Sequence, residues 1–170
     1  DKQGFDINIA GSERPNPKTY FAPYDIPTLK EGPTGEYLTD RLGDEVERFI
    51  EANKSKPFFL YFPEFAVHLP LQAKKEIIAK YEKKVRDGMA QTNAIYAAMI
   101  ESMDDTVGRV RRKLDELNLA NNTVIVFTSD NGGLHVLEFP SNSNPPTHNS
   151  PYRGGKGYLY EGGLREPFII

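Results

Sequence analysis

A continuous apolar stripe in residues 91–117 is the feature that most constrains the fold of this chain. Its apolar side chains recur at steps of three and four, at Tyr96, Met99, Met103, Val107, Val110, Leu114 and Leu117. This spacing predicts one long amphipathic helix whose apolar side has to be covered. "KPFFLYF" (56–62) precedes the stripe and "TVIVFTS" (123–129) follows it, and both read as buried strands. Strand, long helix and strand together predict an α/β fold with a parallel or mixed sheet covered by helices.

Two further helices and two long loops complete the predicted organisation. Apolar spacing predicts helices over 39–53, with Thr39 or Asp40 as the cap, and over 73–86. Residues 1–37 are rich in Pro and Gly and predict an extended loop segment lying on something apolar. Residues 130–167 are also rich in Gly and Pro, and a loop of that length is usually functional. The chain opens without Met and closes on the strand-like "REPFII", so we expect a fragment of a longer protein.

Composition excludes several classes of function. The net charge of -3 leaves no positive excess to displace phosphate counterions, which argues against nucleic acid as a partner. No apolar run approaches the roughly 18 residues needed to span a bilayer, so we expect no membrane partner. The chain has no Cys, which excludes disulfides, thiolate metal sites and a cysteine nucleophile within it.

The predicted strand "TVIVFTS" runs directly into Asp130 and Asn131, followed by two glycines. In α/β sheets, ligands bind outside the carboxyl ends of strands. A carboxylate beside an amide carbonyl offers two hard oxygen donors of the kind that Ca²⁺ or Mg²⁺ prefers. Asp-Asn-Gly is also common turn chemistry, and this stretch taken alone favours an ordinary turn.

Two other loops carry candidate polar groups. His68 lies in "EFAVHLPLQA", just past the first predicted strand, where it is suited to donate a proton or to bond a loop carbonyl. Lys156 lies between two Gly pairs in "SPYRGGKGYLYEGGLREP", as an anion-binding lysine or part of a flexible basic loop. Hard-cation ligands, an anion-binding lysine and a histidine donor together favour hydrolysis of an anionic ester.

The sequence also resembles the middle and later part of the catalytic domain of type I sulfatases, within the alkaline phosphatase superfamily. The resemblance runs from about residue 36 to the end, in family order and with family-like spacing. Its stretches are "GEYLTDRLGDEVERFI", "KPFFLYFPEFAVHLPLQA", "YAAMIESMDDTVGRVRRKLDEL", "NTVIVFTSDNGG" and "RGGKGYLYEGGLREP". The resemblance implies part of an alkaline-phosphatase-like mixed sheet flanked by helices. Residues 38–170 would then be the middle-to-late portion of the catalytic domain.

The resemblance implies a role for each matching residue. Asp130 and Asn131 match the pair that ligates the active-site divalent cation, usually Ca²⁺. Lys156 matches the lysine that grips the sulfate, and His68 matches the histidine that contacts the sulfate ester and is a candidate proton donor. Glu161 and Arg165 fall in the same signature as structural supports. Relatives often carry a small hydroxyl residue at the position of Tyr158, so local substrate contacts differ here.

Other parts of the family's site have no counterpart in this sequence. Family members use a formylglycine nucleophile made from a C/S-x-P-x-R motif, and neither "SERPN" nor "SPYRG" has that spacing. The N-terminal aspartate pair that completes the metal site is also missing, and Asp104 and Asp105 fall inside the long predicted helix. We therefore expect these residues to be inactive alone, with the formylglycine in the remainder of the catalytic domain.

Two alternative functions remain open from the sequence. One is a phosphodiesterase or phosphonate monoester hydrolase of the same superfamily, and the other is a non-catalytic module that binds an anionic glycan. A domain whose loops carry no chemistry is a weaker third reading. By analogy the substrate is a sulfated polysaccharide, and residues 134–152, with His135 and His148, are expected to shape specificity. A periplasmic or secreted bacterial location is favoured over a lysosomal or extracellular eukaryotic one.

Overall fold

The computed structural model describes residues 4–135 and 145–170. Its helices are α1 (Leu38–Asn53), α2 (Lys75–Glu82), α3 (Ala94–Glu116) and the single turn α4 (Glu161–Leu164), with a 3₁₀ turn at Ala120–Asn122. The strands β1 (Phe127–Thr128) and β2 (Phe168–Ile169) pair antiparallel, with Phe127 opposite Ile169. Within these two described ranges, no helix has both the length and the apolar character to cross a bilayer.

Helix α3 is the central element and confirms the long helix predicted over 91–117. It begins later than predicted because the Asn93 side chain accepts a hydrogen bond from the Tyr96 backbone N–H at 3.0 Å and caps the helix there. The helix ends at Glu116, and Asn118 follows in the left-handed region with a φ of 57°. Its buried side includes Met99 and Leu114 of the predicted stripe, together with Ala98.

Helix α1 packs against α3 at Gly43, where any side chain would meet α3. A Cβ on Gly43 would lie 3.1 Å from Thr106 Cγ2 and 3.0 Å from Arg109 Nη1. Arg109 of α3 also links the two helices, because its Nε–H donates a hydrogen bond to the Glu47 carboxylate of α1 at 2.9 Å. These contacts fix the scaffold on which the loops lie.

The predicted cap of α1 is wrong. The helix begins one residue earlier, with Tyr37 at the cap position and no side-chain capping bond. Thr39 is buried in the first turn, and Asp40 pairs with Lys74 at 2.9 Å instead of capping. The helix predicted over 73–86 is shorter, because α2 ends at Glu82 and a turn follows.

The main core forms where residues 4–37 cover the helices. Tyr20 and Tyr24 are fully buried there, and both hydroxyls find backbone acceptors, with Tyr24 donating to the Glu36 carbonyl at 3.0 Å. Phe21 and Tyr37 form an isolated antiparallel bridge. This Pro-rich segment therefore contributes aromatic core residues without regular structure. Its assignment as a separate segment, with a boundary at residue 37, stays a prediction.

The prediction of two buried strands is wrong over most of their length, because the segments lack regular strand structure except at Phe127–Thr128 and carry exposed apolar side chains. Residues 57–65 have no ladder partner among the described residues, and Phe59 is 76 % exposed. Phe58, Leu60 and Phe62 alternate with the exposed positions and pack against the helices. Val124 is 78 % exposed, and only Phe127–Thr128 of the second segment is paired. A strand becomes buried when neighbouring strands and helices cover it. Within the described residues, the first segment has no neighbouring strand, and the second is paired only with β2, which runs antiparallel.

Candidate active site

The loop that follows β1 presents Asp130 and Asn131 at the end of the strand. The Asn131 side-chain N–H donates to the Gly132 carbonyl at 3.1 Å, which leaves its Oδ1 as an acceptor turned away from that bond. Ser129 Oγ donates to the Asn131 carbonyl at 2.9 Å and tightens the turn. The Asp130 side chain is exposed and makes no ion pair with a described residue. Two hard oxygen donors are thus available side by side.

A second loop, residues 153–163, interlocks with this first one through glycines. The Gly132 N–H donates to the Gly163 carbonyl at 3.2 Å, and a Cβ on Gly132 would overlap the Gly162 carbonyl oxygen. The Lys156 N–H donates to the Gly133 carbonyl at 3.1 Å. Only glycine allows backbones to approach this closely. The structure therefore brings the Asp130–Asn131 turn and the Lys156 loop together.

Asn149 holds the two loops together from a third side, and the sequence did not indicate it. Its Oδ1 accepts from the Gly133 N–H at 3.0 Å, while its Nδ2 donates to the carbonyls of Gly133 at 3.0 Å and Gly154 at 3.2 Å. One amide side chain thus satisfies backbone groups of both loops. Asparagine in a loop reads as turn chemistry, so the sequence contains no signal for this bridging role.

His68 lies in a separate loop that Tyr20 supports. The Tyr20 hydroxyl is 2.6 Å from the Phe65 carbonyl and 2.9 Å from the His68 carbonyl, and burial raises the pKa of Tyr20 well above its ordinary value. His68 Nδ1 lies 3.2 Å from the Leu69 carbonyl, so Nδ1 is assigned as the N–H donor to that oxygen.

Among the described residues, no hydrogen bond joins His68 to Asp130, Asn131 or Lys156. The two regions nevertheless share the N-terminal end of α3. On the side of the Asp130 turn, the Tyr96 hydroxyl of α3 lies 3.7 Å from the position that a Cβ on Gly133 would take. On the side of His68, Ile95 of α3 packs against the same buried cluster as Val67, the neighbour of His68. That His68, Asp130, Asn131 and Lys156 meet at one site therefore stays a prediction. Asp130, Asn131 and Lys156 lie on two loops that are in contact, and these two loops are called the loop cluster below.

Glu166 is a further acid beside the cluster that sequence reasoning missed. Burial, and then the charge of Asp130, raises the pKa of Glu166 above its ordinary value. Its Oε1 is buried without a hydrogen-bond partner in the part of the chain that the structure describes. Arg165 pairs with Glu161 at 3.4 Å across the single turn of α4, which fits the supporting role predicted for both.

The donors fit part of a calcium or magnesium site. A carboxylate and an amide carbonyl are the right chemistry, but Ca²⁺ takes six to eight oxygen ligands. Residues 4–135 and 145–170 contain no cluster of three or more His, Cys, Asp or Glu side chains suited to a metal. Asp130 and Asn131 would therefore supply two ligands of a larger set.

Comparison with known proteins identifies the family. The sulfatase family model matches residues 1–170. A sulfatase of Formosa agariphila is 38 % identical over 180 residues, covering 91 % of this chain and 31 % of that protein. Human steryl-sulfatase is 38 % identical over 134 residues, covering 78 % of this chain and 21 % of that protein. The chain thus spans about a third or less of the length of these relatives.

Solved structures agree with the sequence relatives. The crystal structure of Ps i-CgsB in complex with k-i-k-neocarrahexaose is similar, with a TM-score of 0.68 and 36 % identity. The similarity covers 82 % of this chain and 29 % of that one. It confirms the predicted α/β, alkaline-phosphatase-like fold, of which the described residues hold a helix-rich part with one small antiparallel pair. The family match along the whole chain, together with this likeness of fold, shows that the chain belongs to the sulfatase family.

Proposed function

We propose that the protein carrying this chain is a sulfuric ester hydrolase that cleaves sulfate esters of carbohydrates. The observation that carries the proposal is the hydrogen-bonded contact between the Asp130–Asn131 turn and the Lys156 loop, in a chain that matches the sulfatase family from end to end. The relatives are several times longer, so the activity is proposed for the whole protein.

In this proposal each loop side chain has a distinct task. Asp130 and Asn131 hold a Ca²⁺ or Mg²⁺ ion, which when bound supplies positive charge to the sulfate oxygens. The Lys156 ammonium binds the sulfate and offsets the charge that develops on the leaving oxygen. His68 protonates that oxygen through Nε2 in the imidazolium form, because its Nδ1 faces the Leu69 carbonyl.

The proposal assigns the remaining chemistry to residues outside this chain. A formylglycine nucleophile and the other metal ligands would lie in the remainder of the catalytic domain. Lys156 and the Asp130–Asn131 turn would then form one wall of a site that is completed by those residues. We also propose that the protein works outside the cytosol, in the periplasm or after secretion.

Two substrate classes follow from the relatives, and we favour one. Human steryl-sulfatase takes its name from a sterol, whereas Ps i-CgsB was solved with the oligosaccharide k-i-k-neocarrahexaose. The Lys156 loop presents the partly exposed tyrosines Tyr152, Tyr158 and Tyr160 together with Arg153. Aromatic and charged groups side by side fit a sulfated sugar better than an apolar sterol.

The test is a substrate panel with the full-length protein. We expect sulfate release from a sulfated oligosaccharide to exceed sulfate release from a steryl sulfate, and phosphate diesters and phosphonate monoesters to be poor substrates. A chelator should abolish turnover and added Ca²⁺ should restore it. Preferential cleavage of phosphate or phosphonate esters would support the other hydrolases of the superfamily. Glycan binding without any ester cleavage would support the non-catalytic module.

A further inference from the structure

Beside Lys156, the same loop builds a column of aromatic and guanidinium groups. The rings of Tyr158 and Tyr160 are nearly parallel, with centroids 6.4 Å apart and an interplanar angle of 17°. The Arg153 guanidinium lies 3.9 Å from the centroid of Tyr160. At the other end of the column, His135 meets Tyr158 edge to face with centroids 5.2 Å apart.

The loop backbone holds the column in place from its inner side. Gly154 has a φ of 78°, and a Cβ there would lie 3.1 Å from Tyr158 Cβ and 3.3 Å from Tyr160 Cδ2. The Tyr158 N–H donates to the Gly155 carbonyl at 3.0 Å, and the Tyr160 carbonyl accepts from the Gly163 N–H at 2.8 Å. The rings are therefore positioned by the same glycine-rich backbone that positions Lys156.

Within residues 4–135 and 145–170, the outer side of the column is open. Tyr158 is 43 % exposed and Tyr160 is 41 % exposed, although both rings pack against the loop on their inner side. Arg153 is exposed, and within the described residues it pairs with no carboxylate, in contrast to Arg165, which pairs with Glu161. Exposed aromatic edges beside a guanidinium that has no carboxylate partner within the described residues are suited to an anionic, partly apolar ligand.

We propose that Arg153, Tyr158 and Tyr160 form a flanking subsite for a multiply sulfated oligosaccharide. The inference rests on the proposed function and specifies its substrate class. The exposed edges of the two tyrosine rings contact the sugar next to the one that carries the reacting sulfate, and Arg153 binds a second sulfate on that neighbouring sugar. A guanidinium presents paired N–H donors to an oxyanion, which makes the subsite selective for chains that carry more than one sulfate.

The test compares two substrates in the full-length protein. Sulfate release is measured from a sulfated monosaccharide, which cannot reach the subsite, and from a multiply sulfated oligosaccharide. We expect Tyr160→Ala and Arg153→Gln each to lower kcat/KM for the oligosaccharide about tenfold. The same variants should leave kcat/KM for the monosaccharide within about twofold of the unaltered protein.

Matched controls separate binding from folding. Tyr160→Phe keeps the ring and should retain oligosaccharide activity, and Arg112→Gln removes an exposed arginine from α3 and should change neither substrate. Melting temperatures identify any variant that is misfolded. Equal losses on both substrates, or no loss on either, would overturn the subsite.

A binding measurement distinguishes failure of the subsite from failure of the proposed function. Affinity electrophoresis through gels containing a sulfated polysaccharide should retard the unaltered protein and Tyr160→Phe, but should retard Tyr160→Ala and Arg153→Gln less. If the unaltered protein releases sulfate from neither substrate, the proposed hydrolase is refuted, and the gel alone decides the subsite. Equal retardation of all four proteins would refute the subsite even if the hydrolase is active.

Discussion

Glu64, four positions before His68, is a half-buried residue whose two carboxyl oxygens are buried and have no hydrogen-bond partner within the described residues. Asp40 of α1 lies near the Glu64 carboxyl group, as do Tyr20 and Tyr37. The Lys74 ammonium is 2.9 Å from the Asp40 carboxylate and forms an ion pair with it. Burial, and to a smaller extent the charge of Asp40, raises the pKa of Glu64 to about 8. The Glu64 carboxyl group is therefore mostly protonated at pH 7.

We predict that stability falls as pH rises from the ordinary glutamate pKa of 4.5 towards 8, because over that range the unfolded chain has released a proton that folded Glu64 keeps. The free energy of unfolding should lose about 1.4 kcal/mol per pH unit from this group within the window. Glu64→Gln should remove that slope, and Glu76→Gln, at an exposed position of α2, should keep it. Denaturant unfolding of the full-length protein across the window measures the slope. An unchanged slope in Glu64→Gln would contradict this assignment.

At the residue scale, the sequence indicates some candidate groups and misses others for a physical reason. Asp130, Asn131 and Lys156 stand beside glycines in short patterns that can be read along the chain. Asn149 and Glu166 act across long sequence separations, since Asn149 bonds Gly133 and Glu166 lies near Asp130. Such pairings arise from the fold and leave no local pattern.

The two loops of the candidate site are locked by direct backbone contact between Gly132 and Gly162–Gly163. A Cβ on Gly132 would meet backbone atoms of both glycines, which cannot move aside as a flexible side chain does. A Cβ on Gly163 would likewise overlap the Tyr158 carbonyl oxygen. The position of Lys156 relative to Asp130 therefore depends on small residues at this contact.

We predict that Gly132→Ala separates the two loops. The overlap should lower the free energy of unfolding by about 1–3 kcal/mol. Because it also moves Lys156 relative to Asp130, it should reduce sulfate release even under conditions in which the variant is fully folded. Gly108→Ala is the matched control, because Gly108 lies within α3 and an added Cβ meets only the tip of Arg112 at 3.3 Å. The control should raise stability by about 0.5–1 kcal/mol and leave activity unchanged. Full activity in Gly132→Ala would show that the lock is unimportant.

At the element scale, helices were predicted better than strands. The stripe from Tyr96 to Leu114 needs only its own spacing, and α3 forms where that spacing lies. The start of α3 was predicted too early, because the bond between the Asn93 side chain and the Tyr96 N–H that begins the helix depends on backbone geometry. Strand burial depends on neighbouring strands, so Phe59 and Val124 read as buried although they are exposed.

At the scale of the whole molecule, the described residues form a helical scaffold with apolar extended segments on its outside. Val124, Phe59 and the β2 residue Phe168 are exposed, and most of their segments lack ladder partners within the described ranges. In the relatives, this length of chain corresponds to about a third or less of the protein. Exposed apolar surface with free backbone groups is a surface for association.

We predict that the 170 residues produced alone self-associate and release no sulfate. Analytical ultracentrifugation should show species larger than the monomer, and an aryl sulfate assay with added Ca²⁺ should show no turnover. Lys or Glu substitutions at Val124 and Phe59 should reduce the association without restoring activity. Clear metal-dependent turnover by these residues alone would contradict the assignment of the nucleophile to the rest of the protein.

In the proposed hydrolase, the loop cluster of Asp130, Asn131 and Lys156 forms part of the site at which the full-length protein binds and cleaves a sulfate ester. The most direct test is the rate of sulfate release by the full-length protein carrying Lys156→Ala, beside Lys30→Ala as a control at an exposed lysine in the N-terminal loop segment. We expect a loss of about 100-fold or more in kcat/KM for Lys156→Ala and an unchanged rate for Lys30→Ala. Lys156→Ala at the rate of the unaltered protein, with both variants folded, would contradict it.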